Sequence, residues 1–412
     1  MIHYITTNGI GNAWVAAEIK YIVDEGLPVV LHSMRPPQQN FYGSDWAKKM
    51  NHKTQLIYPI NILSILMSLM LAPFLFGRYF WLSLSNAFFS KRESLRARIA
   101  CLFHLLIAID WARNIRKEDI TLIHSQWIQS GGTIGWYAAW LLNKPFSFTG
   151  HAVDLFRDRS ALRDKIHFAV FIIAISEFHR EFYINEGANP EKIHIVYCGI
   201  DIDDFRYSYK TLSIPVRILS FGRLIEKKGF DTLIEACAIL RDKEIDLECE
   251  IAGSGPDYEM LVKLVNCHKL NDRVKITGKP LLQEELQGWL KQGHIFAQPC
   301  CWSRDNDVDG IPRSLMEAMA CGLPSISTRV AGIPDLISDR ETGLLIDQKD
   351  PEQLSKVIET LIHDTVLSEH IARGGRKRVE ERFNMETCLK PLVEIYRKKL
   401  AQSMDPAVGR SG

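Results

Sequence analysis

Short apolar strands alternate with helical stretches along most of this chain, and the alternation limits the folds that are open to it. Strands that are separated by helices form parallel sheets, because each crossover needs a long connection. The pattern therefore predicts an α/β protein with two doubly wound domains in tandem. The strands of the two series are expected at about 2–7, 29–32, 122–125, 146–151, 171–174 and 193–196, then at 217–221, 247–252, 274–277, 295–298 and 325–328.

A polar, proline-containing connection at 206–215 separates the two series of strands. We expect an N-terminal domain over 1–205 and a second domain over 216–383. A helix at about 384–401 and a disordered tail at 402–412 close the chain. Ligands of open parallel sheets collect at the carboxyl ends of the strands, so the expected site is a cleft between the domains.

Composition excludes several classes of protein. The net charge of +1 gives no global reason to expect a nucleic acid as the partner. The nine cysteines are scattered without a CxxC pair, which is typical of reduced thiols in a cytosolic protein. The N-terminus reads as a first strand, without the charged and apolar regions of a signal peptide. We therefore expect a cytoplasmic protein.

A segment at about 60–117 does not fit a plain Rossmann unit. No charged residue occurs over 54–77, and basic residues are frequent over 91–98. A transmembrane span is one interpretation, but Pro73 interrupts the apolar stretch and its length is marginal. A helix pair at the membrane interface, with basic residues toward anionic headgroups, fits better and predicts peripheral membrane contact. A helical insertion buried against the N-terminal domain stays open as the alternative.

Two cations follow the first strand of the second domain, at the start of a helix. Arg223 comes directly after Gly222, and Lys228 precedes Gly229. Cations beside a helix N-terminus stabilise the negative charge that develops on a diphosphate leaving group. A charged surface turn would have the same composition, but the position after a buried strand favours a phosphate site.

Two acids lie eight positions apart around the loop Gly310-Ile311-Pro312. Asp309 precedes the loop, and Glu317 falls about one turn into the helix that follows it. The loop and the helix start offer backbone N–H groups that can bind an anion or a hydroxyl group. Glu317 is placed to reach a polyol such as a ribose. Two acids near a helix start are also favourable without any ligand.

Four further residues lie in segments that follow strand ends. His151 follows Gly150, and its imidazole can hydrogen-bond a sugar hydroxyl or a phosphoryl oxygen. Asp154, three residues on, can orient His151 or cap the next helix. Gly253 allows a base or a ribose to approach the backbone, although any tight turn needs the same residue. Gly11 lies in the first turn, which lacks a full GxGxxG and the ribose-binding acid of an NAD site.

Together these motifs resemble those of the retaining glycosyltransferases of family four, the group 1 type that includes glycogen synthase and sucrose synthase. The resemblance rests on Gly-Arg-Leu followed by Lys-Gly, on Gly-Ser-Gly-Pro at 253–256, and on Glu-Ala-Met-Ala-Cys-Gly-Leu-Pro at 317–324. It covers the second domain over about 216–382 and thinner parts of the first. The version Asp-Gly-Ile-Pro at 309–312 is similar to that of bacterial exopolysaccharide and colanic-acid transferases.

The resemblance implies a GT-B fold, in which two Rossmann-like domains face each other across a cleft and the last helix crosses back to the first domain. It implies that Arg223 and Lys228 hold the donor diphosphate and that Glu317 binds the ribose hydroxyls. His151 would lie near the donor sugar, and Gly11 would let the first loop approach the diphosphate and the acceptor. The backbone at Gly253 and at 310–312 would complete the donor site.

Two residues depart from the family pattern. Asp309 stands where the family has the glutamate that contacts the donor sugar, and its side chain is shorter by about 1.5 Å of reach. Either the Gly310-Ile311 loop moves inward, the sugar differs, or a neighbour such as Asp307 substitutes. Arg313 replaces a small apolar residue, which makes it a candidate for donor or acceptor specificity.

The expected reaction is transfer of a hexose from a UDP- or GDP-sugar to an acceptor hydroxyl with retention at the anomeric carbon. The cations at 223 and 228 would neutralise the leaving group, so no metal and no other cofactor is expected. The apolar and basic insertion suggests a lipid-linked saccharide acceptor at the inner face of the cell membrane, in exopolysaccharide or lipopolysaccharide assembly. The alternatives are a nucleotide-sugar epimerase or hydrolase of the same fold, and a non-catalytic nucleotide-sugar-binding protein.

Overall fold

The computed structural model describes residues 1–11, 13–36, 45–157 and 159–404, and these residues form two compact units. The first unit contains Met1–Tyr197 together with the chain from Leu389 onward, and the second contains Cys198–Cys388. The division at Tyr197 lies a few residues before the connection at 206–215, which has no regular secondary structure. The tail expected at 402–412 begins inside the last helix, and 405–412 lie outside the described residues.

The first unit is built on a seven-stranded sheet in the order β3-β2-β1-β4-β5-β6-β7. Every neighbouring pair is parallel, which confirms the predicted fold class. Nearly all residues of the central strands are buried because helices cover both faces of such a sheet. The strands are β1 Ile2–Thr6, β2 Val29–Ser33, β3 Gln55–Leu56, β4 Leu122–Ser125, β5 Phe146–Thr149, β6 Phe171–Ala174 and β7 Ile193–Ile195.

The helices of the first unit pack on this sheet and on one another. The described helices are α1 Ala13–Asp24, α2 Asp45–Lys53, α3 Ile62–Phe76, α4 Arg78–Phe89, α5 Leu95–Ile115, α6 Ser130–Leu141, α7 Leu162–Phe168 and α8 Glu177–Asn185. A last helix of the chain, α16 Met385–Met404, returns to this unit from Leu389 onward. Its Tyr396 is fully buried, and its ring lies 5.6 Å from the ring of His124.

The second unit repeats the architecture with a six-stranded parallel sheet in the order β10-β9-β8-β11-β12-β13. Its strands are β8 Val216–Phe221, β9 Leu247–Ala252, β10 Val274–Ile276, β11 Ile295–Ala297, β12 Ser325–Thr328 and β13 Leu344–Ile346. Its helices are α9 Phe230–Asp242, α10 Tyr258–Cys267, α11 Gln283–Leu290, α12 Arg313–Cys321, α13 Ile333–Leu336, α14 Pro351–His363 and α15 Thr365–Arg382.

The region expected as an insertion at 60–117 is occupied by α3, α4 and α5. Helices α3 and α4 pack against α5, and α5 packs against α6, so α5 joins the insertion to the Rossmann unit. Within the part of the chain that the structure describes, no helix combines the length and the apolar character needed to cross a membrane.

Candidate functional site in the second unit

The candidate site lies where two neighbouring strands of the second sheet end. Strand β8 pairs with β11, and the turns that follow them carry the residues singled out in the sequence. Lys227 and Lys228 lie in a short 3-10 turn after β8, and Asp307 and Asp309 lie in the loop between β11 and α12. Carboxyl ends of adjacent parallel strands share one edge of the sheet, so these four side chains meet.

The four side chains form a lysine–aspartate cluster. Lys227 Nζ lies 2.9 Å from Asp307 Oδ2 and 3.1 Å from Asp309 Oδ1. Lys228 Nζ lies 2.6 Å from Asp309 Oδ2. Asp309 therefore bridges both lysines, and Lys227 bridges both aspartates.

Burial sets the electrostatics of the cluster. Burial by itself would lower the pKa of Lys228. The neighbouring acidic groups, Asp309 above all, more than offset this effect and raise the pKa of Lys228 above its usual range. Burial would likewise raise the pKa of Asp309, yet Lys228 and Lys227 hold it below the usual range. Lys228 and Asp309 are therefore both charged near neutral pH, and Lys228 offers a cation at the strand edge.

Glycines allow the backbone to approach this cation. A Cβ atom on Gly222 would lie 3.3 Å from Lys228 Cε, so the bare backbone lies beside the end of the lysine. Gly253 has φ 155°, and a Cβ atom there would lie 1.9 Å from the carbonyl oxygen of Gly222. The turn after β9 therefore packs directly on the turn after β8. No side chain other than that of glycine fits at position 253.

The second acid is placed by α12, which begins after Pro312. The side chain of Glu317 is nearly buried, and one of its oxygens lies 3.6 Å from Arg313 Nη2. Burial raises the pKa of Glu317, while Arg313 and Lys228 oppose the rise. The carbonyl oxygen of Gly310 accepts a hydrogen bond of 2.9 Å from Gly332 N, which ties the Asp-Gly-Ile-Pro loop to the turn after β12.

Buried polar contacts fix α12 against the sheet. The hydroxyl group of Ser314 donates to the side-chain oxygen of Gln298, which directly follows β11. Gln298 Nε2 in turn donates to the carbonyl oxygen of Phe221 at 3.1 Å. The carboxyl ends of β8 and β11 and the first turn of α12 are thus linked by side-chain hydrogen bonds.

The structure does not bring Arg223 into the cluster. Its side chain is exposed, and within the described residues it has no ion-pair partner. Its assignment to the diphosphate remains a prediction. Conversely, the sequence reasoning gave no role to Lys227, although it is adjacent to Lys228, and it considered Asp307 only as a substitute for Asp309.

The predicted residue His151 lies in the first unit. His151 follows β5, and its ring centroid lies 4.8 Å from that of Trp14 and 5.6 Å from that of Trp127. Burial lowers its pKa to about 4, partly offset by a hydrogen bond with the backbone of Gln126. His151 Nε2 is buried without a hydrogen-bond partner among the described groups, so it can still accept one from a ligand.

Asp154 and Gly11 also lie in the first unit, and the roles expected for them stay predictions. Asp154 accepts a hydrogen bond of 3.0 Å from the backbone N–H of Ile128, so it fixes the turn after β4. Gly11 N donates to the carbonyl oxygen of Asn8 at 2.9 Å and closes the first turn.

Two family models match consecutive parts of the chain. The model described as glycosyl transferases group 1 matches residues 203–378, and the model described as glycosyltransferase family 4 matches residues 88–204. The first match contains the lysine–aspartate cluster and Glu317, and the second contains His151.

Curated relatives and solved structures agree with these models. The chain is 35% identical over 229 residues to an amylovoran biosynthesis glycosyltransferase of Erwinia amylovora, covering 55% of this chain and 56% of the relative. It is 33% identical over 214 residues to a putative colanic acid biosynthesis glycosyltransferase of Salmonella typhimurium, covering 51% and 52%. The chain thus spans about half the length of these relatives.

A similar fold occurs in the Anabaena protein Alr3699/HepE, whose crystal structure contains UDP. The TM-score is 0.68, with 18% sequence identity, and the match covers 96% of this chain and 99% of the other. At this identity the likeness concerns the fold.

Proposed function

We propose that this chain, which matches the group 1 and family 4 glycosyltransferase models over 203–378 and 88–204 and has a GT-B fold, transfers a hexose from a nucleoside diphosphate sugar to an acceptor hydroxyl. The observation that carries the proposal is the largely buried Lys228 beside Asp309 at the strand edge, near the buried Glu317. A cation can pair with a diphosphate, and two carboxylates can accept hydrogen bonds from the hydroxyl groups of a hexose and a ribose.

The proposed reaction retains the configuration of the anomeric carbon. The bond from this carbon to the β-phosphate oxygen breaks, and the acceptor oxygen bonds to the carbon from the same face. The acceptor proton passes to an oxygen of the departing diphosphate. Lys228, which is charged and fixed, stabilises the negative charge that builds on the diphosphate, and Arg223 supplies a second cation from the same turn.

The donor is proposed to be a UDP- or GDP-sugar. Glu317 accepts hydrogen bonds from the ribose hydroxyls, and the glycine turn at 253 leaves room for the nucleoside. Asp309 contacts the hexose through its carboxylate, with the backbone of 310–312 beside it. His151, neutral because of its lowered pKa, accepts or donates a hydrogen bond at the sugar.

We propose that the transfer needs no metal ion, because Lys228 at the strand edge and Arg223 in the same turn can together stabilise the leaving diphosphate as a divalent cation does in other enzymes. Turnover that survives a chelator would agree with this, and turnover restored only by a divalent cation would oppose it.

The acceptor is proposed to be a lipid-linked saccharide used in exopolysaccharide or lipopolysaccharide assembly. The support is the similarity to two relatives that are named for amylovoran and colanic acid biosynthesis. A lipid-linked acceptor stays in the bilayer. The proposed location is therefore the cytoplasm, at the inner face of the cell membrane, with peripheral contact through about 60–117.

The test is a turnover assay with UDP- and GDP-sugars and polyprenyl-diphosphate-linked saccharides, read by mass spectrometry and by NMR of the anomeric proton. The expected result is a saccharide extended by one hexose with the donor's anomeric configuration. A new nucleotide sugar without any acceptor would identify an epimerase, and free hexose would identify a hydrolase. Donor binding without any turnover would identify a binding protein. The Glu317→Ala variant is the control for donor binding.

A further inference from the structure

The large apolar side chains of α3 lie on its exposed face. Phe74 is 87% exposed, Leu63 77% and Met70 75%, whereas Ser68 and Ala72 are fully buried. The exposed side chains follow one helical stripe: Ile62, Leu63, Leu66, Met67, Met70, Leu71, Phe74 and Leu75. This is the reverse of the usual surface helix, whose apolar stripe faces the core.

Hydrogen bonds fix this orientation of α3. The hydroxyl groups of Ser64 and Ser68 donate to Asp110 Oδ1 on α5 at 2.5 and 2.6 Å. Arg113 Nη2 donates to Ser64 Oγ at 2.9 Å. Rotating α3 to bury its leucines would break these contacts and would leave a partly buried carboxylate without its donors. The outward apolar face is therefore built into the fold.

The exposed apolar side chains continue onto the neighbouring helices. Helix α4 adds Trp81, Leu82, Phe88 and Phe89, and the first half of α5 adds Leu95, Ile99 and Phe103. We call these residues and the stripe on α3 the apolar surface of α3–α5. It contains 15 of the 21 exposed large hydrophobic side chains among the described residues. Apolar clusters of this kind mark an interaction site.

The charges around this surface are almost all positive. Residues 54–109 contain five lysines and arginines and one acid, Glu93. The carboxylate of Glu93 already accepts hydrogen bonds from the backbone N–H groups of Ala161 and Leu162, at 2.9 and 2.8 Å. The exposed cations are Arg78, Lys91 and Arg96, and none of them forms an ion pair with a described residue.

We propose that the apolar surface of α3–α5 docks into the interface of an anionic lipid bilayer. Lipid tails cover the apolar side chains, and anionic headgroups meet Arg78, Lys91 and Arg96. A second copy of the chain fits poorly, because a symmetric contact would bring the same cations together. The bilayer would hold the lipid-linked acceptor of the proposed function. Only this reason for membrane binding rests on the proposed function.

The test is flotation of the full chain with vesicles of phosphatidylcholine, with or without phosphatidylglycerol. Wild-type protein is expected to float with the anionic vesicles and to release partly at high salt. The double variant Met70→Asp/Phe74→Asp is expected to lose about tenfold in the floated fraction, since two charges would enter the apolar layer. The matched control is Val366→Asp in the second unit, where the side chain is 79% exposed, and it is expected to float like wild type.

Wild-type protein that stays out of both kinds of vesicle, or a double variant that floats like wild type, would overturn the inference. Circular dichroism of both variants checks that they are folded. A wild-type dimer that the double variant abolishes, without any vesicle binding, would instead assign the surface to a second copy. Vesicle binding without sugar turnover would support the membrane-docking surface and contradict the proposed function. Turnover without vesicle binding would support the proposed function and contradict the membrane-docking surface.

Discussion

Lys228 Nζ and Asp309 Oδ2 lie 2.6 Å apart, at the strand edge where we propose that the donor diphosphate binds. We propose that Asp309 takes the role of the glutamate expected from the family motif, and without donor its carboxylate pairs with the cation proposed for the diphosphate. Donor binding must therefore share or replace this ion pair. Lys227 also contacts Asp309, at 3.1 Å, so the aspartate keeps one cationic partner if Lys228 turns to the phosphate.

Replacing Lys228 by alanine is expected to lower kcat at least 100-fold, or about 2.7 kcal/mol, because a preorganised charge on the leaving group is lost. Steady-state kinetics with the preferred donor measures the effect. Lys243→Ala is the matched control, since Lys243 is in the same unit and pairs with Glu359 on the surface. Near-normal turnover of the Lys228 variant would remove the proposed role.

Asp309→Asn is expected to separate binding from transfer. The amide no longer neutralises Lys227 and Lys228, so the free nucleoside diphosphate should bind more tightly, while the hexose loses its carboxylate contact and kcat falls. Isothermal titration with UDP and GDP, together with the turnover assay, checks both effects. If nucleotide affinity fell along with kcat, Asp309 would be supporting the phosphate site instead of competing for it.

In the Arg313→Ala variant, donor binding is expected to weaken at a higher pH than in wild type as the solution is made more acidic. Burial raises the pKa of Glu317, and Arg313 opposes that rise, so removing the arginine raises the pKa further. Ribose binding uses the carboxylate, which is present above this pKa and is lost as the pH falls through it. The measurement is the donor KM as a function of pH, with Arg313→Lys expected to restore the wild-type profile and Arg340→Ala as the surface control. An unchanged profile in Arg313→Ala would contradict this role.

A buried histidine pair predicts acid sensitivity of the first unit. His3 Nδ1 and His32 Nε2 lie 3.0 Å apart, and burial above all lowers their pKa values to about 4 and about 3. An unfolded histidine titrates near 6.5, so the unfolded chain takes up protons first as the pH falls below that value. Stability is therefore lost from about pH 6.5 down to about 4, by up to about 1.4 kcal/mol per pH unit for each histidine.

Urea unfolding between pH 7.5 and 4.5 measures this dependence. The His32→Gln variant should show a shallower slope than wild type, and the surface variant His52→Gln should match wild type. Equal slopes in all three proteins would mean that the pair does not control the acid response.

The sequence predicted the fold well where local pattern decides it. Strands β9 and β12 have the predicted bounds, because Gly253 directly follows the first and Pro324 directly precedes the second. Strand β3 was missed because it has only two residues, both exposed, at the edge of the sheet. Helix α14 ends at His363, because Asp364 caps the separate helix α15 by accepting a hydrogen bond from Leu367 N. Helix α16 runs to Met404, beyond the predicted 401.

The site was only partly predictable. Sequence spacing identified Lys228, Asp309 and Glu317, but the contact of Lys227 with both Asp307 and Asp309 depends on the pairing of β8 with β11, which lie far apart in the chain. The exposed apolar face of α3 could not be predicted either, since the sequence of an apolar stretch does not reveal that its serines hydrogen-bond to Asp110.

The most direct test of the central claim is thermal unfolding of wild type and Lys228→Met with a panel of UDP-, GDP-, ADP- and TDP-sugars. One base family is expected to raise the Tm of wild type, with most of the shift lost in the variant because the diphosphate has lost its buried cation. Absence of any shift in wild type, or an equal shift in both proteins, would contradict a nucleotide-sugar site built around Lys228.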